Sequence, residues 1–252
     1  MRPPVSVYNF INQIAGRFGL DVRPSGMRYD FDPEAVSIIR RVRPFTMTPP
    51  ERLFAVIQAS RHVSDAGIPG AIVEAGVWRG GSMMAAALSF ASKGDTSRDL
   101  YLYDTYEGMS VPGTRDVDVR GKTATERLSG SKKTKSSEMW GYSPIEDVRR
   151  NLLATGYPVD RLHFVMGKVE DTIPGEKPAQ IALLRLDTDW YESTKHEMEH
   201  LYPLLASGGV LILDDYGHWQ GARSAVDEYL ATNGIQLLLN RTDASGRMAI
   251  KP

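Results

Sequence analysis

The sequence predicts an α/β protein with a doubly wound, mostly parallel sheet. From residue 70 onward, apolar runs of strand length alternate with amphipathic helical segments, which is typical of a sheet covered by helices on both faces. Five such runs lie at 71–76, 100–105, 162–167, 181–187 and 209–214. Two further runs, at 235–240 and 247–251, flank a turn-forming segment and predict a closing hairpin with an antiparallel edge. The expected sheet therefore has seven strands.

Helical signals precede the first strand. Asp32-Pro33 fits the N-cap and first position of a short helix, and Thr48-Pro49-Pro50-Glu51 fits a capping box with its first proline at position N1. Upstream, segment 5–20 places its apolar residues on one helical stripe, which would pack on the domain or on a second copy of the chain. Contact with a membrane surface is the alternative, because arginines lie nearby. We predict a helical extension at 1–66, a main domain at 67–252 and, from the stripe, a homodimer.

The bulk composition excludes several classes of protein. The chain has 252 residues, a net charge of -1 and no cysteine. The balanced charge gives no field that would attract nucleic acid, and the lack of cysteine excludes disulfides, thiolate metal sites and cysteine nucleophiles. No apolar run has the length of a transmembrane helix, and the N-terminus lacks a signal-peptide pattern. We expect a soluble cytoplasmic protein.

Two neighbouring strands of the predicted sheet end in aspartates. Asp187 and Asp189 follow one apolar run, and Asp214 and Asp215 follow the next. Ligands of an open parallel sheet bind at the carboxyl ends of the strands, so four carboxylates are expected at one edge. Such a cluster repels itself unless a cation or a proton relieves it, and oxygen ligands favour Mg²⁺ ahead of Mn²⁺ or Ca²⁺. The alternative is that the aspartates cap helices and loops.

A glycine-rich turn, EAGVWRGGS at 74–82, follows the first strand. Turns of this kind offer free helix N–H groups and close backbone approach to a nucleotide or nucleoside. The turn matches neither the dinucleotide fingerprint nor the phosphate loop, and Glu74 would oppose a pyrophosphate. It suits a ligand with an ammonium group, such as S-adenosylmethionine, with Asp104 at the end of the second strand bound to the ribose hydroxyls. Arg79 is either a carboxylate partner for that ligand or a solvated residue.

Several side chains near these motifs have open interpretations. His218 is a candidate base, or it has a structural or substrate-contact role. Trp190, Tyr191 and Trp219 could form a platform for a sugar ring or belong to the core. His196 and His200 have the spacing of a metal-binding pair, but without a third ligand we interpret them as helix surface.

Segment 106–143 has little periodicity and contains the basic run Lys132-Lys133-Thr134-Lys135. A long stretch without periodicity inside a compact domain is usually functional or mobile. We predict that this segment is a substrate loop or lid, with a solvated basic loop as the alternative.

These motifs resemble the macrocin O-methyltransferase (TylF/MycF-type) family of class I, metal-dependent sugar O-methyltransferases. The resembling stretches are EAGVWRGGS at 74–82, YDTYEGM at 103–109, RLHFVMGKVEDTIP at 161–174, LRLDTDWYEST at 184–194 and SGGVLILDDY at 207–216. They recur in the family's order across most of the chain. Segment 110–143 departs most from the macrolide enzymes of the family, and Gly217-His218-Trp219 is not shared by all of them, so the resemblance does not specify a macrolide acceptor.

The resemblance implies a Rossmann-like class I methyltransferase fold with S-adenosylmethionine at the glycine turn. The residues expected to bind this cofactor are Glu74, Gly76, Arg79, Ser82, Asp104, Thr105, Gly167, Val169 and Asp187. The resemblance also implies Mg²⁺ bound by Asp187, Asp214 and Asp215, with Asp189 as the general base. The expected reaction is methylation of a sugar hydroxyl on a glycoside, glycolipid, oligosaccharide or antibiotic. The alternatives are a catechol-type phenolic O-methyltransferase and a non-catalytic nucleoside-binding protein.

Overall fold

The protein is described here by a computed structural model, which covers residues 14, 28–129 and 140–252. Apart from Ile14, the helical stripe predicted at 5–20 lies outside the described residues, and so does the basic run at 132–135. None of the helices in the described part of the chain is long and apolar enough to cross a membrane.

A seven-stranded sheet is the centre of the fold. Its strands are β1 (Ala71–Ala75), β2 (Leu100–Asp104), β3 (Leu162–Met166), β4 (Ile181–Leu186), β5 (Leu205–Leu213), β6 (Asn240–Arg241) and β7 (Arg247–Ile250). Across the sheet their order is β3-β2-β1-β4-β5-β7-β6. The first five strands pair in parallel, whereas β7 pairs antiparallel with both β5 and β6. The predicted fold class is confirmed, and the sheet is mixed only at its C-terminal edge.

Two strands differ from their predicted lengths. The run predicted as a strand at 235–240 contributes only its last residue to β6, because Ile235, Leu237 and Leu239 pack on the core instead of pairing with a neighbouring strand. Strand β5 begins at Leu205, before the glycines that were expected to turn the chain into it. Gly208 has a φ of 78°, and the pairing of β5 with β4 shifts register at this point. A left-handed glycine inside a strand is typical of a bulge.

Helices cover both faces of the sheet. They are α1 (Pro33–Val42), α2 (Pro50–Asp65), α3 (Gly81–Ser92), α4 (Ala124–Ser129), α5 (Ile145–Leu153), α6 (Val169–Thr172), α7 (Tyr191–His200) and α8 (Gln220–Thr232). Helix α1 begins as predicted, with the Asp32 carboxylate accepting a hydrogen bond from the Ala35 amide at 2.9 Å. Helix α2 begins one residue later than predicted, with Pro49 as its N-cap. The Thr48 hydroxyl accepts a hydrogen bond from Arg185 and makes no cap.

The apolar core has one layer on each face of the sheet. The first layer joins α1, α2, α3 and α5 to the sheet, and it includes Ile39, Leu53 and Phe90. The second joins α7 and α8 to the other face, through residues such as Met198 and Val226. Because α1 and α2 belong to the first layer, part of the predicted N-terminal extension shares the main core. The boundary at residue 66 stays a prediction.

Residues 106–129 and 140–143 of the segment predicted as a substrate loop belong to the described part of the chain. They contain the short helix α4 and two isolated β-bridges, Val117 with Thr123 and Asp118 with Trp219. Ala124 and Leu128 of α4 pack with Trp190 and Trp219 in a third, smaller apolar cluster. The segment is therefore attached to the carboxyl edge of the sheet, where the predicted site lies.

Candidate active site

One cavity opens at the carboxyl ends of the central strands. Its lining includes six of the residues predicted to bind the cofactor: Gly76, Asp104, Thr105, Gly167, Val169 and Asp187. Asp189, the predicted base, lines it as well. The cavity therefore joins the glycine turn after β1 to the aspartates after β4.

Close backbone packing shapes the floor of this cavity at Gly76. This residue has a φ of 83°, and a Cβ atom built on it would lie 1.9 Å from the carbonyl oxygen of Asp187. Any larger residue would push apart the chains that leave β1 and β4. Glycine is therefore required here by both conformation and space.

Strained backbone is concentrated around the same cavity. Among the described non-glycine residues, positive φ angles occur at Trp78, Tyr106 and Asp189. The Asp104 carboxylate holds two of them, because it accepts hydrogen bonds from the amides of Trp78 at 2.9 Å and of Tyr106 at 2.7 Å. Burial raises the pKa of Asp104, and these amide hydrogen bonds partly offset that rise. Each strained residue costs on the order of 1–3 kcal/mol, and such residues cluster at functional sites.

Three of the residues predicted to bind the cofactor lie away from the cavity lining. Glu74 is 2% exposed and pairs with Arg185 beneath the glycine turn. Ser82 is buried in the first turn of α3. The Arg79 guanidinium lies 4.9 Å from the centroid of the Trp78 ring. Their predicted contacts with the cofactor stay predictions.

The three predicted metal ligands converge. Asp187, Asp214 and Asp215 each offer a carboxylate oxygen, and these oxygens lie within 4.8 Å of one another. No other trio of histidine, aspartate or glutamate side chains in the described part of the chain comes together in this way. An all-oxygen, anionic donor set suits a hard dication such as Mg²⁺. The residues present therefore fit the predicted metal.

Two arginines neutralise part of this negative charge. Arg185 of β4 is 4% exposed, and its guanidinium contacts Asp187 at 2.8 Å and Asp214 at 2.5 Å. Arg52 of α2 pairs with the other oxygen of Asp214 and with Asp243. Both oxygens of Asp214 thus contact a guanidinium, although each carboxylate oxygen keeps further lone pairs for a cation.

The carboxylates differ in pKa according to these contacts. Burial raises the pKa of Asp187 and of Asp215 well above the ordinary value, and repulsion from neighbouring carboxylates adds to it. Burial also opposes the charged form of Asp214, but the attraction of Arg185 and Arg52 outweighs it and lowers the pKa. A cation bound among the three would favour their charged forms.

Asp189 lies beside the trio. Its backbone amide donates a hydrogen bond to Asp215 Oδ2 at 3.2 Å, and its Oδ1 accepts one from Trp219 Nε1 at 2.6 Å. Burial and the charge of Asp187 raise the pKa of Asp189 to about 7. A carboxylate of this pKa can exchange a proton near neutral pH.

The predicted aromatic and histidine candidates lie further from the cavity. Trp190 and Trp219 are buried against each other at 5.0 Å, in a T-shaped pair. His218 is half-buried with its ring against Trp219, and burial together with Arg127 lowers its pKa. The ring centroids of His196 and His200 lie 4.2 Å apart on α7, and no third ligand joins them among the described residues. The catalytic role of His218 and the sugar platform stay predictions.

Two site residues escaped the sequence analysis. Arg185 interrupts the apolar run IALLRLD, and a cation in the middle of a buried strand requires carboxylate partners, so this signal was present in the sequence. Arg52 lies on α2 at a position that gives no such signal. Its link to Asp214 depends on how α2 packs beside the ends of β4 and β5.

Another buried acid contacts the loop that carries Asp187 and Asp189. Glu197 of α7 is fully buried, and its Oε1 accepts a hydrogen bond from the Thr188 hydroxyl at 2.9 Å. Its Oε2 has no hydrogen-bond partner among the described residues. Burial raises the pKa of Glu197 well above its ordinary value of 4.5. We therefore expect the folded protein to keep this carboxyl protonated.

Replacing Glu197 with glutamine is expected to stabilise the protein at neutral pH. A raised pKa in the folded state means that wild-type stability falls as pH rises above about 4.5, and glutamine has no proton to lose. The gain in melting temperature should shrink as the pH is lowered towards 4.5. Thermal unfolding across this pH range measures it, with the exposed Glu199→Gln as the control on the same helix. A gain that is independent of pH would show that Glu197 is ionised in the folded protein.

The strand order, with antiparallel β7 between β5 and β6, and the cavity beside the glycine turn define a class I methyltransferase fold. The solved structure of the O-methyltransferase NovP shares it, with a TM-score of 0.70 and 26% sequence identity over 98% of both chains. The chain belongs to the macrocin-O-methyltransferase (TylF) family, whose sequence profile matches residues 33–249. The resemblance inferred from the sequence is thereby confirmed.

Two relatives extend this comparison. The chain is 35% identical over 180 residues to 8-demethyl-8-(2,3-dimethoxy-alpha-L-rhamnosyl)-tetracenomycin-C 4'-O-methyltransferase of Streptomyces olivaceus, and the match covers 71% of this chain. It spans 65% of that enzyme, just under two thirds of its length. The chain is also 30% identical over 201 residues to demethyldecarbamoylnovobiocin O-methyltransferase of Streptomyces niveus, covering 80% of this chain and 73% of that enzyme.

Proposed function

We propose that this protein transfers a methyl group from S-adenosylmethionine to a hydroxyl group of a sugar, with Mg²⁺ bound beside the acceptor. One observation carries the proposal: a single cavity is lined by the glycine turn and also by Asp187 and Asp189 of the acidic cluster. A donor and an acceptor bound at these two ends would meet. Family membership supports O-methylation, and the rhamnosyl group in the name of the Streptomyces olivaceus relative supports a sugar acceptor.

The charge of the cavity supports a cationic donor. Four carboxylates contribute to its lining, against the single cation of Lys168: those of Asp104, Glu170, Asp187 and Asp189. S-adenosylmethionine carries a sulfonium and an ammonium group, both of which would be attracted by this lining. Gly167 and Val169, which line the cavity after β3, would border its adenine ring, and Asp104 would bind its ribose.

The acidic cluster would activate the acceptor hydroxyl. A neutral sugar hydroxyl is a poor nucleophile near neutral pH. When bound by Asp187, Asp214 and Asp215, Mg²⁺ would stabilise negative charge on the acceptor oxygen. Arg185 and Arg52 hold Asp214 in place for this purpose, since each contacts one of its carboxylate oxygens.

Asp189 is the proposed general base. It would accept the proton of the acceptor hydroxyl while the oxygen forms its new bond to the methyl carbon and the carbon–sulfur bond of the donor breaks. The products are a methyl ether, S-adenosylhomocysteine and a proton. Holding two reactants in line is worth on the order of 7–11 kcal/mol of the barrier. The strained, hydrogen-bonded backbone at Trp78, Tyr106 and Asp189 supplies a rigid frame for such alignment.

Removal of divalent cations is expected to abolish most of the methyl transfer. Metal assistance is worth several kcal/mol at the transition state, which corresponds to about 10²-fold or more in rate. Radiolabelled methyl transfer to rhamnosides would be measured in EDTA and after Mg²⁺ is added back. Asp215→Ala should show a similar loss that Mg²⁺ cannot restore, with donor binding retained because Asp215 does not line the cavity. Full activity in EDTA would exclude the metal while leaving methyl transfer intact.

The acceptor class is tested by a panel of compounds. Rhamnosides and other deoxysugar glycosides are compared with catechols at saturating donor and Mg²⁺. Methylation of catechols alone would favour the phenolic alternative. No calorimetric binding of S-adenosylmethionine, with or without Mg²⁺, would favour a non-catalytic protein.

The cytoplasmic location, the homodimer and the role of segment 106–143 in acceptor choice stay predictions.

A further inference from the structure

The base candidate Asp189 is held at both its backbone and its side chain. Its φ of 67° places it in the left-handed region, on the short connection between β4 and α7. Its amide contacts Asp215, and its Oδ1 accepts the hydrogen bond from Trp219 Nε1 at 2.6 Å. This second contact commits one carboxylate oxygen to the indole, and the side chain of Asp189 also contacts that of Asp215.

The indole that holds Asp189 is itself fixed by packing. Trp219 is 6% exposed and packs in one apolar cluster with Trp190 and with residues of α4 and α8. The edge of one indole meets the face of the other, a geometry that aromatic pairs favour. The Nε1 atom of Trp219 therefore keeps its direction towards Asp189 without help from a ligand.

The backbone around Trp219 is joined to the segment predicted to bind the acceptor. Asp118 forms an isolated β-bridge with Trp219. On either side, the Val119 amide donates to the His218 carbonyl at 2.9 Å, and the Gln220 amide donates to the Val117 carbonyl at 2.9 Å. Residues 117–119 and 218–220 thus form one backbone scaffold, which joins Trp219 to the segment predicted as a substrate loop.

We propose that Trp219 is a positioning residue for methyl transfer: its indole N–H fixes the orientation of the Asp189 carboxylate towards the acceptor hydroxyl. This inference rests on the proposed function, because it assigns the base role to Asp189. Trp219 acts through Asp189 and makes no direct contact with the reacting atoms. Loss of the N–H should therefore lower kcat and leave the KM values for donor and acceptor unchanged.

The sharpest test replaces only the N–H group. Incorporating 3-benzothienylalanine at position 219 exchanges the indole N–H for sulfur and keeps nearly the same shape. Trp219→Phe removes the same N–H with a genetically encoded residue. A displaced catalytic group can cost about 10²-fold in rate, so we expect kcat to fall by about 10–10²-fold. The matched control is the same replacement at Trp190, whose N–H donates to the Ser110 carbonyl at 3.2 Å. It measures the cost of a lost indole N–H that does not contact Asp189.

The kinetic outcomes separate the possible roles. A fall in kcat that exceeds the fall at position 190, with both KM values retained, supports the proposal. Equal losses at the two positions would overturn it, because the effect would then be one of packing. A raised acceptor KM with kcat retained would also overturn it, since Trp219 would then be an acceptor platform. Calorimetric binding of S-adenosylhomocysteine confirms that each variant is folded.

A spectroscopic measurement tests the contact without any turnover. The indole proton of Trp219, bonded to a carboxylate, should resonate downfield in the NMR spectrum, and Asp189→Asn should shift it upfield. An unchanged resonance would overturn the proposal. If the wild-type protein methylates no acceptor but the resonance moves as expected, the proposed function fails while the contact stands.

Discussion

Asp189→Asn is expected to lower kcat by about 10²–10⁴-fold, the contribution typical of a general base. Asparagine has nearly the same volume and tolerates the left-handed backbone at this position, where φ is 67°. Its amide oxygen can still accept the hydrogen bond from Trp219, but it cannot take a proton from the acceptor. The fold should therefore survive while the chemical step is lost.

Steady-state kinetics with a saturating donor measure this effect. Calorimetry with S-adenosylhomocysteine and Mg²⁺ should give wild-type affinities, because the trio of Asp187, Asp214 and Asp215 is intact in the variant. His218→Asn is the comparison, since His218 was the second catalytic candidate and its ring lies against Trp219. Near-normal turnover by Asp189→Asn would contradict the assignment and leave His218 or water as the base.

The sheet was predictable because its signals are local. The runs at 71–76, 100–105, 162–167 and 181–187 are mostly apolar, as is typical of parallel strands covered on both faces, and each ends close to the observed boundary. The run at 235–240 misled because an apolar segment can be buried without pairing. Ile235, Leu237 and Leu239 pack on the second core layer, and only two residues of the edge strand make hydrogen bonds to β7.

The convergence of the aspartates was also predictable, because parallel strands place their carboxyl ends at one edge. The side-chain pairing below that edge was not predictable from the sequence. Glu74 was expected to meet the cofactor from its position before the glycine turn. Its predicted contact with the cofactor stays a prediction, but its side chain lies under that turn and pairs with Arg185 of the neighbouring strand. Such pairing depends on strand order and register, which one strand's sequence does not contain.

Arg185→Met is expected to destabilise the folded protein by about 3–5 kcal/mol, the usual cost of removing one partner from a buried ion pair. Arg185 contacts Glu74, Asp187 and Asp214, and the first two would lose their guanidinium contact, whereas Asp214 would keep Arg52. Chemical denaturation in EDTA measures the change without a metal to compensate for it. Arg161→Met, which removes an exposed pair with Asp99, is the control and should cost less than about 1 kcal/mol.

The pH dependence of the loss identifies its electrostatic origin. The pKa of Asp214 is lowered in the folded protein, so its contribution to stability is present above its ordinary value of 3.8 and is lost at lower pH. The difference between wild type and Arg185→Met should therefore shrink as the pH falls below about 4. Glu74 behaves oppositely: burial raises its pKa to about 7, so its charge opposes folding at higher pH. Adding Glu74→Gln to Arg185→Met should recover part of the stability at pH 8. A loss that neither low pH nor this second substitution reduces would mean that Arg185 acts by packing alone.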